Sequence, residues 1–113
     1  ICDVLLHSYA SANMYKKLGG EDLDIYNAIR NHVFGRLNMS KLEEIILISD
    51  YTEENREYSD CIICRNILFE KGINEAIYYS TEKTINFVLE RGFNPHPVQY
   101  DVLNYYKEQI KWS

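Results

Sequence analysis

The sequence predicts an all-α domain of about six helices, on three observations. Apolar residues recur with a helical period in nearly every segment. Glycine and proline fall between these segments rather than inside them. No run alternates apolar and polar residues cleanly enough to demand a strand. The 113 residues show no internal repeat, linker or low-complexity tract, so residues 1–113 read as one module with a modest core.

The first helix is expected from about Asp3 to Leu18, closed by Gly19-Gly20 as a left-handed cap. Asp22 is placed to cap the second, "LDIYNAIRNHV", and Gly35 marks its exit. The third carries "KLEEIILISDY" behind Ser40 and Glu43, the spacing of a capping box. A fourth covers about Ser59 to Glu70, before Gly72. The fifth is "NEAIYYSTEKTINFVLERG", with Asn74 as its cap and Gly92 as its end. The sixth follows "NPHP", takes Pro97 into its first turn and runs to about Lys111. "YTEENREYSD" is the longest polar stretch, a loop of the kind that carries binding residues.

A net charge of −5 disfavours sequence-independent binding to nucleic acid polymers or anionic membranes, which needs a basic face. No apolar run reaches the roughly 18 to 20 residues of a membrane span, and no signal-peptide pattern opens the chain, so a cytoplasmic location is expected. The chain starts without Met and with apolar periodicity already running, from which an N-terminal part of the domain is expected to be missing. The three cysteines, Cys2, Cys61 and Cys64, are an odd number and no disulfide framework. "CIIC" lacks a second Cys/His pair and reads as a buried helix face rather than a metal or redox motif.

Three polar residues interrupt apolar stripes. His7 lies between Val4 and Ser11, Met14 and Leu18; His32 continues Ile25, Ala28 and Ile29; Asp50 follows Leu42 and Ile46. Each alone reads as a hydrogen-bonded core group or a residue at a wet helix end. Two imidazoles and a carboxylate together are also the donor set of iron, manganese or zinc centres, where a cation offsets the cost of burying Asp50. Spacing leaves both readings open.

Read in order, "LLHSYASANMYKKLGG", "AIRNHVFGRLNMSKLEEIILISDYTEENRE" and "TINFVLERGFNPHPVQYDVLNYY" resemble the YqeK family of HD-domain phosphohydrolases over essentially the whole chain. The resemblance implies an HD-domain-like helical bundle. The family's first His and its adjacent His-Asp pair have no match here and are expected upstream. It further implies that His7, His32 and Asp50 bind a divalent metal, with iron as the ion. Arg36 and Arg56 would hold phosphate, Arg36 acting with Asp50 in catalysis. His96 and Asn104 would join the substrate site, His96 with a capping role as its alternative. Val33 and Phe34 stand where the family has small hydroxyl residues, which alters the nucleotide pocket.

The implied activity is symmetrical hydrolysis of diadenosine tetraphosphate to two ADP. Two other readings stand beside it. One is a non-catalytic nucleotide-binding or partner module, of the kind fused to a nicotinate-nucleotide adenylyltransferase; the other is an HD-type hydrolase of a different nucleotide. A homodimer is left open.

Overall fold

The computed structural model describes residues 3–53 and 55–111, with side chains from residue 6 onward. Cys2 lies outside the described residues. The described residues form six helices: α1 (Asp3–Lys17), α2 (Leu23–Asn31), α3 (Lys41–Tyr51), α4 (Ser59–Lys71), α5 (Ile73–Glu90) and α6 (Pro97–Lys111). None of them is long and apolar enough to cross a membrane.

Local chemistry sets the boundaries. Asp22 Oδ1 accepts from the backbone N–H groups of Asp24 and Ile25, capping α2. Ser40 and Glu43 close the expected capping box of α3. Asn74 is not the cap of α5. Gly72, at φ +103°, ends α4 and begins α5 by itself, so Asn74 already lies inside the helix. Gly35, at φ +76°, lets the chain leave α2 against α6; a Cβ there would stand 3.1 Å from Met39 Cε and 3.5 Å from Val102 Cγ2.

The helices pack in a chain of neighbours. α1 lies on α2, α2 on α3, and α3 on α5, which also packs against α4 and α6. Leu47, Ile48, Cys64, Ala76, Ile77, Val102 and Tyr106 form the core where α3, α4, α5 and α6 meet. Tyr106 ties the last helix to the third by donating its hydroxyl to Glu44 Oε2 at 2.5 Å. Cys61 and Cys64 are buried free thiols on α4, but Ile62 and Ile63 between them are exposed, so only the two thiols of "CIIC" face the core; burial pushes the Cys64 thiol up to about 12.

Two stripes differ from the sequence expectation. Among the described side chains of α1, Ser8 and Ala12 are buried and His7 and Met14 are exposed, as is Leu18 just beyond the helix. α1 packs against α2, whose Ala28 is also buried, while Leu6 and Met14 of α1 are exposed. On α3 the buried residues are Glu43, Leu47 and Ile48, whereas Ile46 is exposed and Leu42 half-buried. Asp50 therefore continues the Glu43–Leu47 stripe, seven residues beyond Glu43 and three beyond Leu47.

Candidate functional site

The end of α2 and the end of α3 face α5 across a small open cleft of about 50 Å³. His32, Val33 and Phe34 line it from the α2 exit, and Leu47, Asp50 and Tyr51 from α3. Ser80, Thr81 and Thr84 supply the α5 wall, and Gln99 the α6 side. His32 and Asp50 thus share one cleft.

The state of His32 follows from its partner. Its Nδ1 lies 2.7 Å from the carbonyl of Ile29, which accepts only, so Nδ1 carries the proton. In the neutral ring the lone pair then sits on Nε2. A backbone carbonyl fixing one nitrogen so that the other stays available is the arrangement of metal-ligating imidazoles.

Asp50 is 52% exposed, and its described partner is Arg56, whose Nη2 stands 3.4 Å from Oδ2. Arg56 lies in a loop that Arg65 holds from α4. Arg65 Nε donates to the Thr52 carbonyl at 2.9 Å, and its Nη2 to the Glu53 and Arg56 carbonyls at 2.8 and 3.4 Å. The guanidinium thereby satisfies carbonyls at and beyond the end of α3 and fixes the approach of the loop.

Arg36 has a different partner from the one its motif implied. Its Nε and Nη2 donate in parallel to Glu43 Oε1 and Oε2 at 2.7 and 2.8 Å. Glu43 is 1% exposed and also accepts from Asn31 Nδ2 and from the backbone N–H of Ser40. Burial pushes the Glu43 carboxyl up, but the hydrogen bonds from Arg36 and Ser40, with Arg36's charge and Asn31, outweigh it and hold it below its ordinary value. The fork of Arg36 is engaged with Glu43 rather than turned to an open anion site, and it pins the α2–α3 loop to α3.

His96 caps α6. Its Nδ1 accepts from the Val98 N–H at 3.1 Å, while its own backbone N–H donates to Gln99 Oε1 at 2.9 Å. This is a capping box with imidazole in the place of a hydroxyl. The ring lies 6.0 Å from that of Phe34, centroid to centroid, at the rim of the cleft. Asn104 is exposed on α6.

His7 is exposed on α1. Among the described residues no group of three or more His, Cys, Asp or Glu converges as a metal cluster. The donor set of this chain therefore fits a divalent ion in part: His32 Nε2 and the Asp50 carboxylate would hold it, and further donors would complete its shell.

Sequence reasoning passed over Thr81, Glu43 as the partner of Arg36, and Arg65. A signal for Thr81 was available. It stands between Ile77 and Ile85 on one buried stripe of α5, a polar residue at an apolar position like His32.

Comparison with known proteins agrees with this architecture. No family model matches the chain. A Halalkalibacterium halodurans protein named symmetrical bis(5′-nucleosyl)-tetraphosphatase is 37% identical over 109 residues, covering 96% of this chain and 56% of that protein. The Staphylococcus aureus protein of the same name is 29% identical over 113 residues, covering 96% and 58%. A solved Clostridium acetobutylicum structure, described as a predicted HD superfamily hydrolase involved in NAD metabolism, superimposes with a TM-score of 0.84 at 38% identity. The match covers 91% of this chain and 55% of that one. The chain spans about half the length of the curated relatives it matches. Its motifs, its helices and these matches together make it a YqeK-like homologue of the symmetrical bis(5′-nucleosyl)-tetraphosphatases, with the all-α fold of an HD superfamily hydrolase.

Proposed function

We propose that this chain supplies part of the active site of a metal-dependent hydrolase that cleaves diadenosine tetraphosphate symmetrically, one water breaking the central P–O–P link to give two ADP. The observation that supports the reading best is the cleft shared by His32, with Nδ1–H tied to Ile29 and Nε2 available, and by Asp50. A divalent ion there, iron in this reading, would lower the pKa of water and offset phosphate charge. The chain's own residues divide the remaining tasks. Arg56, whose loop Arg65 anchors, draws the polyphosphate to the mouth of an otherwise acidic protein. Arg36 acts in this reading as a positioning residue, because Glu43 occupies its fork. His96 shapes the rim through its cap on α6, and Asn104, exposed on the same helix, would buttress the substrate site.

The decisive experiment is product analysis of the intact protein with diadenosine tetraphosphate, with and without a chelator. ADP as sole nucleotide product, lost on chelation and restored by a divalent metal, is expected. AMP with ATP, or activity indifferent to chelation, overturns the reading. A non-catalytic nucleotide-binding module is the second reading, favoured by the lack of a third donor beside His32 and Asp50 among the described residues. Binding of ADP without turnover in any divalent metal selects it.

A further inference from the structure

The wall of the cleft formed by α5 carries three hydroxyls within five residues, and they are not equivalent. Ser80 donates its hydroxyl to the Ile77 carbonyl at 3.0 Å, and Thr84 to the Ser80 carbonyl at 2.8 Å. Both protons are consumed by the helix itself. Thr81 lies between them and is only 8% exposed. Its hydroxyl makes no hydrogen bond to protein among the described residues, and no buried side-chain oxygen or nitrogen there lacks a partner. The hydroxyl of Thr81 is therefore accessible rather than sealed in the core, and the free space the residue lines is the cleft. A threonine in mid-helix ordinarily bonds back to the preceding turn. Here the donor stays unspent, on the wall of the cleft that His32 and Asp50 also line.

From this geometry we infer that Thr81 is a substrate-contacting residue, donating its hydroxyl to a non-bridging phosphoryl oxygen of the nucleotide held in the His32/Asp50 cleft. The inference rests on the proposed phosphoanhydride chemistry and deepens it by naming the contact. Phosphate is the partner that fits. A hydroxyl donor offers its proton to an anionic oxygen, and a charge-assisted O–H···O⁻ bond at a largely buried side chain is stronger than the same bond in water. The β-branched side chain has few rotamers, so little freedom is lost when the bond forms.

The test uses the intact protein and two pairs of variants. Thr81→Val replaces the hydroxyl by a methyl at nearly constant shape. Thr81→Ala and Thr81→Ser both lose the methyl and differ from each other by one oxygen, so their comparison survives any packing defect that they share. Loss of a hydrogen bond to a charged group is expected to lower kcat/KM on diadenosine tetraphosphate by about 10- to 100-fold in the Val and Ala variants, with Ser within about threefold of wild type. ADP, titrated as a separate binding probe, should lose about tenfold in affinity in the same two variants. Equal losses in Ala and Ser, or Val kinetics and ADP affinity within twofold of wild type, overturn the contact. If wild type binds ADP but does not turn over the tetraphosphate, the proposed activity fails while the ADP titration still decides the role of Thr81.

Discussion

Two carboxylates stand seven residues apart on the same face of α3, and their surroundings are opposite. Glu43 is 1% exposed and has its oxygens met by a parallel guanidinium, an amide and a backbone N–H. Asp50 is 52% exposed, meets Arg56 at 3.4 Å and borders the cleft. A buried carboxylate survives only if every lone pair is answered, and Glu43 is answered by its own fold. Asp50 is met by Arg56 and water, and in the proposed reading by a cation. The difference separates a residue that holds the α2–α3 junction from one that works at its open end.

The largest effect is expected at Asp50. Asp50→Asn removes the charge that a cation needs and leaves the fold alone, since the side chain is exposed. Activity of the intact protein should fall by more than the roughly 10- to 100-fold that outer partners of metal ligands cost, and metal content should fall with it. Unfolding free energy should move by less than about 0.5 kcal/mol. Full metal content with full turnover would remove Asp50 from the site.

Glu43 should show the reverse pattern. Glu43→Ala deletes a cap and three hydrogen bonds and leaves the half-exposed Arg36 to rehydrate, a loss of about 2 to 3 kcal/mol in urea unfolding. Its pH dependence has a defined sign. The folded carboxyl titrates below the ordinary 4.5, so it binds its proton less readily than in the unfolded chain. Its stabilisation is complete above that ordinary value and is lost as pH falls through the lowered one. The stability gap between wild type and Glu43→Gln should accordingly be constant near neutrality and close in acid. A gap that stays open at low pH would show that the charge of Glu43 is not what matters.

Much of this contrast was legible in the residues. The capping box gave the start of α3, and glycines and prolines gave the helix ends to within about two residues, because these signals are local. His32 and Asp50 were visible as polar residues on or beside apolar stripes, and the structure brings both to one cleft. The direction of a stripe was less legible where apolar residues surround a helix. Among the described side chains of α1 the buried ones are Ser8 and Ala12, and small side chains carry no hydrophobic signal strong enough to outweigh Met14 and the neighbouring Leu18. The two arginines were separated only by three-dimensional pairing. Arg36 finds Glu43 seven residues on, across a loop whose path Gly35 sets, and no periodicity encodes that distance.

A smaller effect tests the pin itself. A double-mutant cycle between Arg36→Ala and Glu43→Gln should return a coupling of roughly 1 to 2 kcal/mol, and Arg36→Lys should recover less than half of the Arg36→Ala loss. A point charge cannot supply two parallel bonds. Turnover of the folded fraction should remain within about threefold of wild type, since the guanidinium acts through loop position. A large fall in kcat with unchanged melting would return Arg36 to the phosphate site.

The smallest change in stability is expected at Arg56, and it is the one that sharpens the contrast between the two ends of α3. Its guanidinium is 43% exposed and touches Asp50 through one 3.4 Å contact, so water and salt screen the pair. Its loop is held by Arg65 through backbone carbonyls, which persist when the Arg56 side chain is cut back. Arg56→Ala should therefore change unfolding free energy by less than about 0.5 kcal/mol. A cation that guides a polyphosphate contributes to encounter and binding more than to bond cleavage, so KM should rise several-fold with kcat nearly constant. Raising the salt concentration should shrink the difference between variant and wild type, because the steering term fades as the screening length shortens. Unchanged KM at low salt would make Arg56 a surface residue, and a marked drop in melting temperature would make it a structural one; either result leaves the cleft without its proposed phosphate guide.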